Sequence, residues 1–134
     1  SATQAIIRPC TRAKMKSGST SYHNGLAAED IAIRLYEAKQ GRILEKRWKR
    51  RSGEIDLIVE LRGQIVFVEV KARKTLKLAA QSITQNQQQR MFNTAALYLS
   101  ESGAGLNAET RFDVVVVNRA GQAEILENAL AMGW

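Results

Sequence analysis

Residues 53–72 read GEIDLIVELRGQIVFVEVKA. Two apolar runs of strand length flank Arg62-Gly63. A two-residue turn there predicts an antiparallel hairpin in which Leu61 faces Gln64. That register sets Asp56 opposite Glu69 and Glu54 opposite Lys71. Strand side chains alternate, so all four share one face. Opposed Cβ atoms lie about 4.5–5.5 Å apart. Two carboxylates that close repel each other unless a cation stands between them. A hard divalent cation with oxygen ligands suits that place. The plainer alternative is a salt bridge to Lys71, or exposure on an open face. Against it, Glu69 interrupts the apolar run Ile65–Val70 and Asp56 lies between Ile55 and Leu57. An isolated acid in a buried strand is costly unless something compensates its charge.

Working outward, Arg42–Lys49 reads as a further strand, giving three strands near 42–49, 54–61 and 64–72. Before them, Gly25 to Gln40 has a helical pattern. Ala28, Ile31, Leu35 and Ala38 form its stripe, Ala32, Ile33 and Tyr36 widen it, and Gly41 is the expected C-cap. After them, a second helix is expected from Leu78 to Glu101, with Ile83, Met91, Ala95 and Tyr98 on its apolar face. Arg111–Asn118 is a near-continuous apolar strand of the kind buried on both faces. A short strand or helix around 124–131 follows the Ala120-Gly121 turn. The order α-β-β-β-α-β describes an α/β fold with a mixed sheet flanked by helices. Residues 1–22 carry Arg8, Arg12, Lys14 and Lys16 with no acid and lack periodicity, so they are expected to be a flexible basic segment. Residues 23–134 are expected to be one domain.

The blocks Gly53–Ile58 and Phe67–Lys71, with Asp–x₁₂–Glu–x–Lys spacing, resemble the YraN-like family of predicted nucleases. That family belongs to the restriction-endonuclease-like superfamily with the PD-(D/E)XK signature, and archaeal Holliday-junction resolvases are similar in the same motifs. The resemblance spans about residues 25–130, and includes the helix around Ser82–Ala96 and Arg111-Phe112-Asp113. It implies a restriction-endonuclease-like core and a Mg²⁺-dependent endonuclease, with Mn²⁺ able to substitute. Asp56 and Glu69 match the metal-binding acids, Lys71 the lysine that positions the water, and Glu29 the first-helix acid that often completes the site. Gln87 stands where such sequences often carry a lysine; it can hydrogen-bond a phosphate or water but brings no charge.

Phosphodiester cleavage needs a nucleophilic water, in-line geometry and stabilisation of negative charge. A Mg²⁺ on one or two carboxylates with a lysine on the same face suits those needs. Glu29, on a helix packed against that face, would add a ligand directly or through water. The net charge of +7 favours nucleic acid as partner over an acidic membrane surface. Lys46, Arg47, Lys49, Arg50 and Arg51 precede the acids, with Trp48 among them as a core or base-stacking residue. Arg73, Lys74 and Lys77 follow them, and Arg90 ends a polar stretch of the second helix. Arg111 and Asp113 are expected to pair with each other or brace the sheet.

Other chemistries are set aside. The single His23 lies at the edge of the leader, and Cys10 has no partner for a disulfide, zinc or thiol catalysis. No phosphate-binding loop motif for ATP occurs, and no stretch reads as a signal peptide or membrane span. These features suit a cytoplasmic protein. DNA, branched or otherwise structured, is favoured over RNA, and paired cleavage of a duplex or junction would call for a homodimer. The competing expectation is a non-catalytic nucleic-acid-binding module with a vestigial site.

Overall fold

Three apolar strand patterns flanked by amphipathic helices must bury both faces of one sheet, and the computed structural model shows how. It describes residues 3–6, 20–104 and 108–130. The elements are β1 (Thr3–Ile6), α1 (Thr20–Ala38), β2 (Arg42–Arg50), β3 (Gly53–Leu61), β4 (Gln64–Ala72), α2 (Leu76–Ala80), α3 (Gln85–Ser102), β5 (Thr110–Val117) and β6 (Gln122–Leu126). The six-stranded sheet has the order β1-β6-β5-β4-β3-β2. Among the described strands only β4 and β5 run parallel, which requires the crossover that α2 and α3 supply. This is the expected α/β architecture, a mixed sheet with helices on both faces.

Alternation divides the core in two. Ala28, Ile31, Ala32, Leu35 and Tyr36 of α1 cover Leu57, Val59, Val66, Val68, Val115 and Val117. Met91, Phe92, Ala95 and Tyr98 of α3, with Ala79 of α2, cover Ile58, Phe67, Phe112, Val114 and Val116. Strand β5 is buried on both faces from Phe112 to Val117, as its unbroken apolar run predicts. Trp48 packs against the α3-side cluster, meeting Tyr98 edge-on at 5.2 Å, so its indole serves the fold.

Arg62 (φ 51°) and Gly63 (φ 81°) both have positive φ, the signature of the hairpin turn that matches strand twist. The end of α1 corrects one expectation. The left-handed residue is Gln40 (φ 72°), not Gly41. Gln40 N–H bonds the Glu37 carbonyl at 3.0 Å and Gly41 N–H the Tyr36 carbonyl at 2.8 Å, a Schellman closure. Gly41 is needed for space: a Cβ there would stand 2.9 Å from the Tyr36 carbonyl oxygen and 3.0 Å from Val59 Cγ1.

Two further expectations are corrected. The helix expected over 78–101 is two helices, because Thr84 caps α3 through its hydroxyl and Thr75 caps α2 in the same way. Within the segment expected to be flexible, Thr3–Ile6 pairs antiparallel with β6, satisfying backbone groups on that edge. The proposed boundary at residue 22 also falls inside α1, which starts at Thr20. The basic residues Arg8, Arg12, Lys14 and Lys16 lie outside the described residues. None of the described helices is long and apolar enough to cross a membrane.

One buried charge ties α1 to the sheet. Asp113 is fully buried, and its carboxylate accepts from Tyr36 Oη at 2.7 Å, from Arg111 Nε and NH2 at 2.9 Å each, and from Asn128 N–H at 2.9 Å. Arg111 and Asp113 thus pair and brace α1 against β5. Burial, then the Asp113 charge, push the Tyr36 hydroxyl pKa well above the ordinary phenol value. Urea unfolding should show Asp113→Ala costing about 2–3 kcal/mol, since it strands the buried Tyr36 hydroxyl and leaves the half-buried Arg111 without its partner. Tyr36→Phe should cost only about 1 kcal/mol, because three donors to the carboxylate remain.

Candidate active site

The β3–β4 ladder has the expected register, Leu61 opposite Gln64 and Leu57 opposite Val68. The next pair would be Asp56 and Glu69, and there the ladder ends. In its place, Asp56 Oδ2 accepts the Val70 N–H at 2.8 Å, a carboxylate standing in for a backbone carbonyl. Beyond this point β3 pairs only with β2, through Ile55–Trp48, Glu54–Lys49 and Gly53–Arg50. Strand β4 continues against β5 as far as Ala72–Val117. The sheet therefore forks between β3 and β4. The expected pairing of Glu54 with Lys71 is corrected to Glu54 with Lys49, because the strands have already separated.

The backbone is irregular around the fork. Ile55 packs on the α3 side, whereas Leu57 packs on the α1 side, although regular alternation would put both on one side. On β2 the register shifts between Ile43 and Glu45. Arg47, across from Asp56, has φ 51°, a left-handed conformation that non-glycine residues rarely adopt.

Alternation along β4 sends Ile65 and Phe67 to the α3 side, and Glu69 and Lys71 follow them. Lys71 is 8 % exposed, and its Nζ lies 3.3 Å from Glu69 Oε2. Burial, then the Glu69 charge, push the Asp56 carboxyl up to about 8, while the Val70 amide pulls the other way. Glu29 and Glu54 add smaller repulsions. Burial likewise raises Glu69, opposed by the Lys71 charge and by hydrogen bonding to Lys71 and Asp56. Two half-buried acids thus share one site with a single lysine in ion-pair contact. In the absence of a further cation, they hold a proton that either would ordinarily release.

Oxygen donors whose charges repel are the donor set a hard divalent ion relieves, so Asp56 and Glu69 fit Mg²⁺. Among the described residues, no group of three or more His, Cys, Asp or Glu is placed to hold a metal. The fork therefore offers two carboxylates, with water completing the Mg²⁺ sphere.

The helix of Glu29 covers the α1 side of the sheet, its Oε1 accepts from Arg47 Nε at 2.9 Å, and its charge is felt at Asp56. Gln87 is the N3 residue of a capping box: its Oε1 accepts from Thr84 N–H at 3.0 Å and its own N–H donates to Thr84 Oγ1 at 3.1 Å. The Thr84-x-x-Gln87 spacing is a legible cap signature that the polar run around it obscures. Arg50 stacks 4.0 Å above the Trp48 ring and bridges Glu101 at 2.6 Å. Lys46, Lys49, Arg51, Arg73, Lys74, Lys77 and Arg90 are all exposed.

The fork lies inside the span matched by a family model, residues 28–117, described as the uncharacterised protein family UPF0102. The chain belongs to that family. A UPF0102 protein of Roseobacter denitrificans is 43 % identical over 93 % of this chain and 97 % of its own length. One from a Ruegeria species is 41 % identical over 87 % and 94 %, and one from Azorhizobium caulinodans 36 % identical over 92 % and 94 %. Among solved structures, Pyrococcus furiosus SfsA in complex with Ca²⁺ aligns with a TM-score of 0.33 and 16 % identity, covering 80 % of this chain and 62 % of that one. A likeness that distant adds nothing to the geometry above.

In this UPF0102 protein the raised Asp56 pKa has a definite sign for stability. Between about pH 4, where an unfolded aspartate ionises, and about pH 8, the folded chain holds a proton that the unfolded chain has lost. Metal-free stability therefore falls as pH rises through that window. Asp56→Asn keeps an oxygen for the Val70 amide and removes the charge. In EDTA at pH 8 it should be about 1–3 kcal/mol more stable than wild type. The gain should shrink toward pH 4, as followed by denaturant melts across the range.

Proposed function

We propose that this chain is a divalent-metal-dependent endonuclease that hydrolyses phosphodiester bonds in DNA, branched or otherwise structured. The observation that carries the reading is the fork itself. It sets two half-buried carboxylates with raised pKa values beside a buried lysine, Glu69 to Lys71 being 3.3 Å, where the sheet opens. Structural ion pairs seldom put two acids against one base at such cost, whereas a cation site needs that excess.

Each residue then has a task. Asp56 and Glu69 hold the ion through their oxygens, with Asp56 fixed by the Val70 amide. The bound Mg²⁺, or Mn²⁺ in its place, supplies Lewis-acid stabilisation of negative charge on the scissile phosphate. Lys71, held by Glu69, donates hydrogen bonds to the attacking water and to a phosphate oxygen. Glu29, released by Arg47, would bind water at the edge of the site. Exposed cations near the fork draw in the phosphate backbone. A DNA substrate would suit a cytoplasmic protein, and a homodimer would cut both strands of a duplex.

A second reading is favoured by a specific observation. Glu29 is engaged by Arg47 and the Gln87 carbonyl by its helix cap, so two groups that the resemblance implies are held elsewhere. On this reading the chain binds nucleic acid without cutting it. The deciding experiment is incubation of labelled duplex, single-stranded, flap and four-way-junction DNA with Mg²⁺, Mn²⁺ or EDTA. Metal-dependent cutting that falls at least about 10²-fold in Glu69→Gln is the expected result. Salt-sensitive binding with no cutting by wild type would sink the nuclease and leave the binding module.

A further inference from the structure

From Lys71 to Ser100 the chain contains no Asp or Glu, and its charges there are Lys71, Arg73, Lys74, Lys77 and Arg90. The fold adds another cation from a distant part of the sequence. Arg73 N–H donates to the Val117 carbonyl at 3.0 Å, and Arg119 N–H donates to the Lys74 carbonyl at 3.3 Å. These bonds seat the β5–β6 turn beside the β4–α2 connection, which brings Arg119 to Arg73 and Lys74. Lys77 follows on α2, which packs across β4, β5 and β6. All four side chains are exposed. Among the described residues, none of the four takes part in an ion pair; the Arg73 guanidinium donates to the Ala72 carbonyl.

The arginines of β2 are used otherwise, while Lys46 and Lys49 of that strand take part in no ion pair among the described residues and lie on the sheet edge. Arg42 pairs with Glu60, Arg47 with Glu29 and Arg50 with Glu101. Lys49 faces Glu54 across the ladder. Strand β2 is also the outer strand of the sheet, where lysine and arginine discourage pairing with another chain.

We propose that Arg73, Lys74, Lys77 and Arg119 form the main contact surface for the phosphate backbone of duplex DNA, while the β2 cations chiefly serve the fold and its edge. Four cations with no acid partner keep their full charge for a polyanion, and duplex DNA offers closely spaced phosphates. Lys71 lies two residues before Arg73, about 7 Å along the strand, so the surface runs directly into the fork. The inference rests on the nuclease reading for its ligand class alone, since binding does not require cutting.

The test is fluorescence anisotropy of a labelled DNA duplex in EDTA over a series of salt concentrations. Wild type is compared with Lys74→Ala/Arg119→Ala and with Lys46→Ala/Lys49→Ala. Each double variant removes two positive charges, and all four side chains are exposed, so melting temperatures should match wild type. Expected is a salt slope shallower by about 1.8 for Lys74→Ala/Arg119→Ala, with affinity at low salt down about tenfold or more. The β2 double should change the slope by less than about 0.5. Equal losses would reduce the effect to net charge and overturn the proposal, as would a larger loss in the β2 double. Absence of wild-type duplex binding, or displacement of the probe by phosphatidylserine vesicles but not by unlabelled duplex, would overturn it too. A protein that shows the expected difference but cuts no DNA keeps this surface and loses the nuclease reading. One that cuts DNA while the doubles behave alike does the reverse.

Discussion

Asp56 accepts the Val70 amide proton at the point where β3 stops pairing with β4. Without that acceptor, opening the ladder would leave a half-buried N–H unpaired, which is costly in a folded protein. With it, β3 can turn toward β2 while β4 stays against β5. The same bond orients the carboxylate toward Glu69. One interaction thus ends a ladder, opens the sheet and aims a functional oxygen. The switch of Ile55 and Leu57 to opposite sides of the sheet is its local consequence.

Stability and chemistry pull apart at this fork. A well-packed apolar pair in place of Asp56 and Glu69 would close the sheet and remove the repulsion. The chain keeps both acids, raises their pKa values by burial and gives them one lysine. Elsewhere it handles buried charge differently. Asp113 receives four donor contacts and anchors α1 to β5. The contrast between a fully satisfied aspartate and an under-compensated acid pair distinguishes the structural carboxylate from the candidate functional ones.

Much of this was legible in the sequence because it depends on short-range rules. The Arg62-Gly63 turn sets the register, and the register brings Asp56 toward Glu69. The apolar run of β5 shows a strand buried on both faces. What escaped depends on tertiary choices. Periodicity shows that α1 has a buried stripe, but not which face of the sheet it covers, so the pairing of Glu29 with Arg47 was unforeseen. A side chain replacing a backbone acceptor leaves no mark in an alternating pattern, so the end of the ladder at Asp56 was unforeseen. Gln87 lay in a run of Gln and Asn that concealed its cap with Thr84. Arg119 is remote from the other cations in sequence and joins them only through backbone bonds of the β5–β6 turn.

A metal-dependent nuclease requires the fork to be a cation site, and the most direct measurement is Mn²⁺ binding without substrate, counted by electron paramagnetic resonance of the free ion. Wild type, Glu69→Gln and Glu54→Gln should be compared, since Glu54 is an exposed acid outside the carboxylate pair. The account predicts about one Mn²⁺ per chain for wild type and Glu54→Gln, with affinity lowered at least about tenfold in Glu69→Gln. Equal affinity in all three proteins, or no saturable binding by wild type, would contradict it.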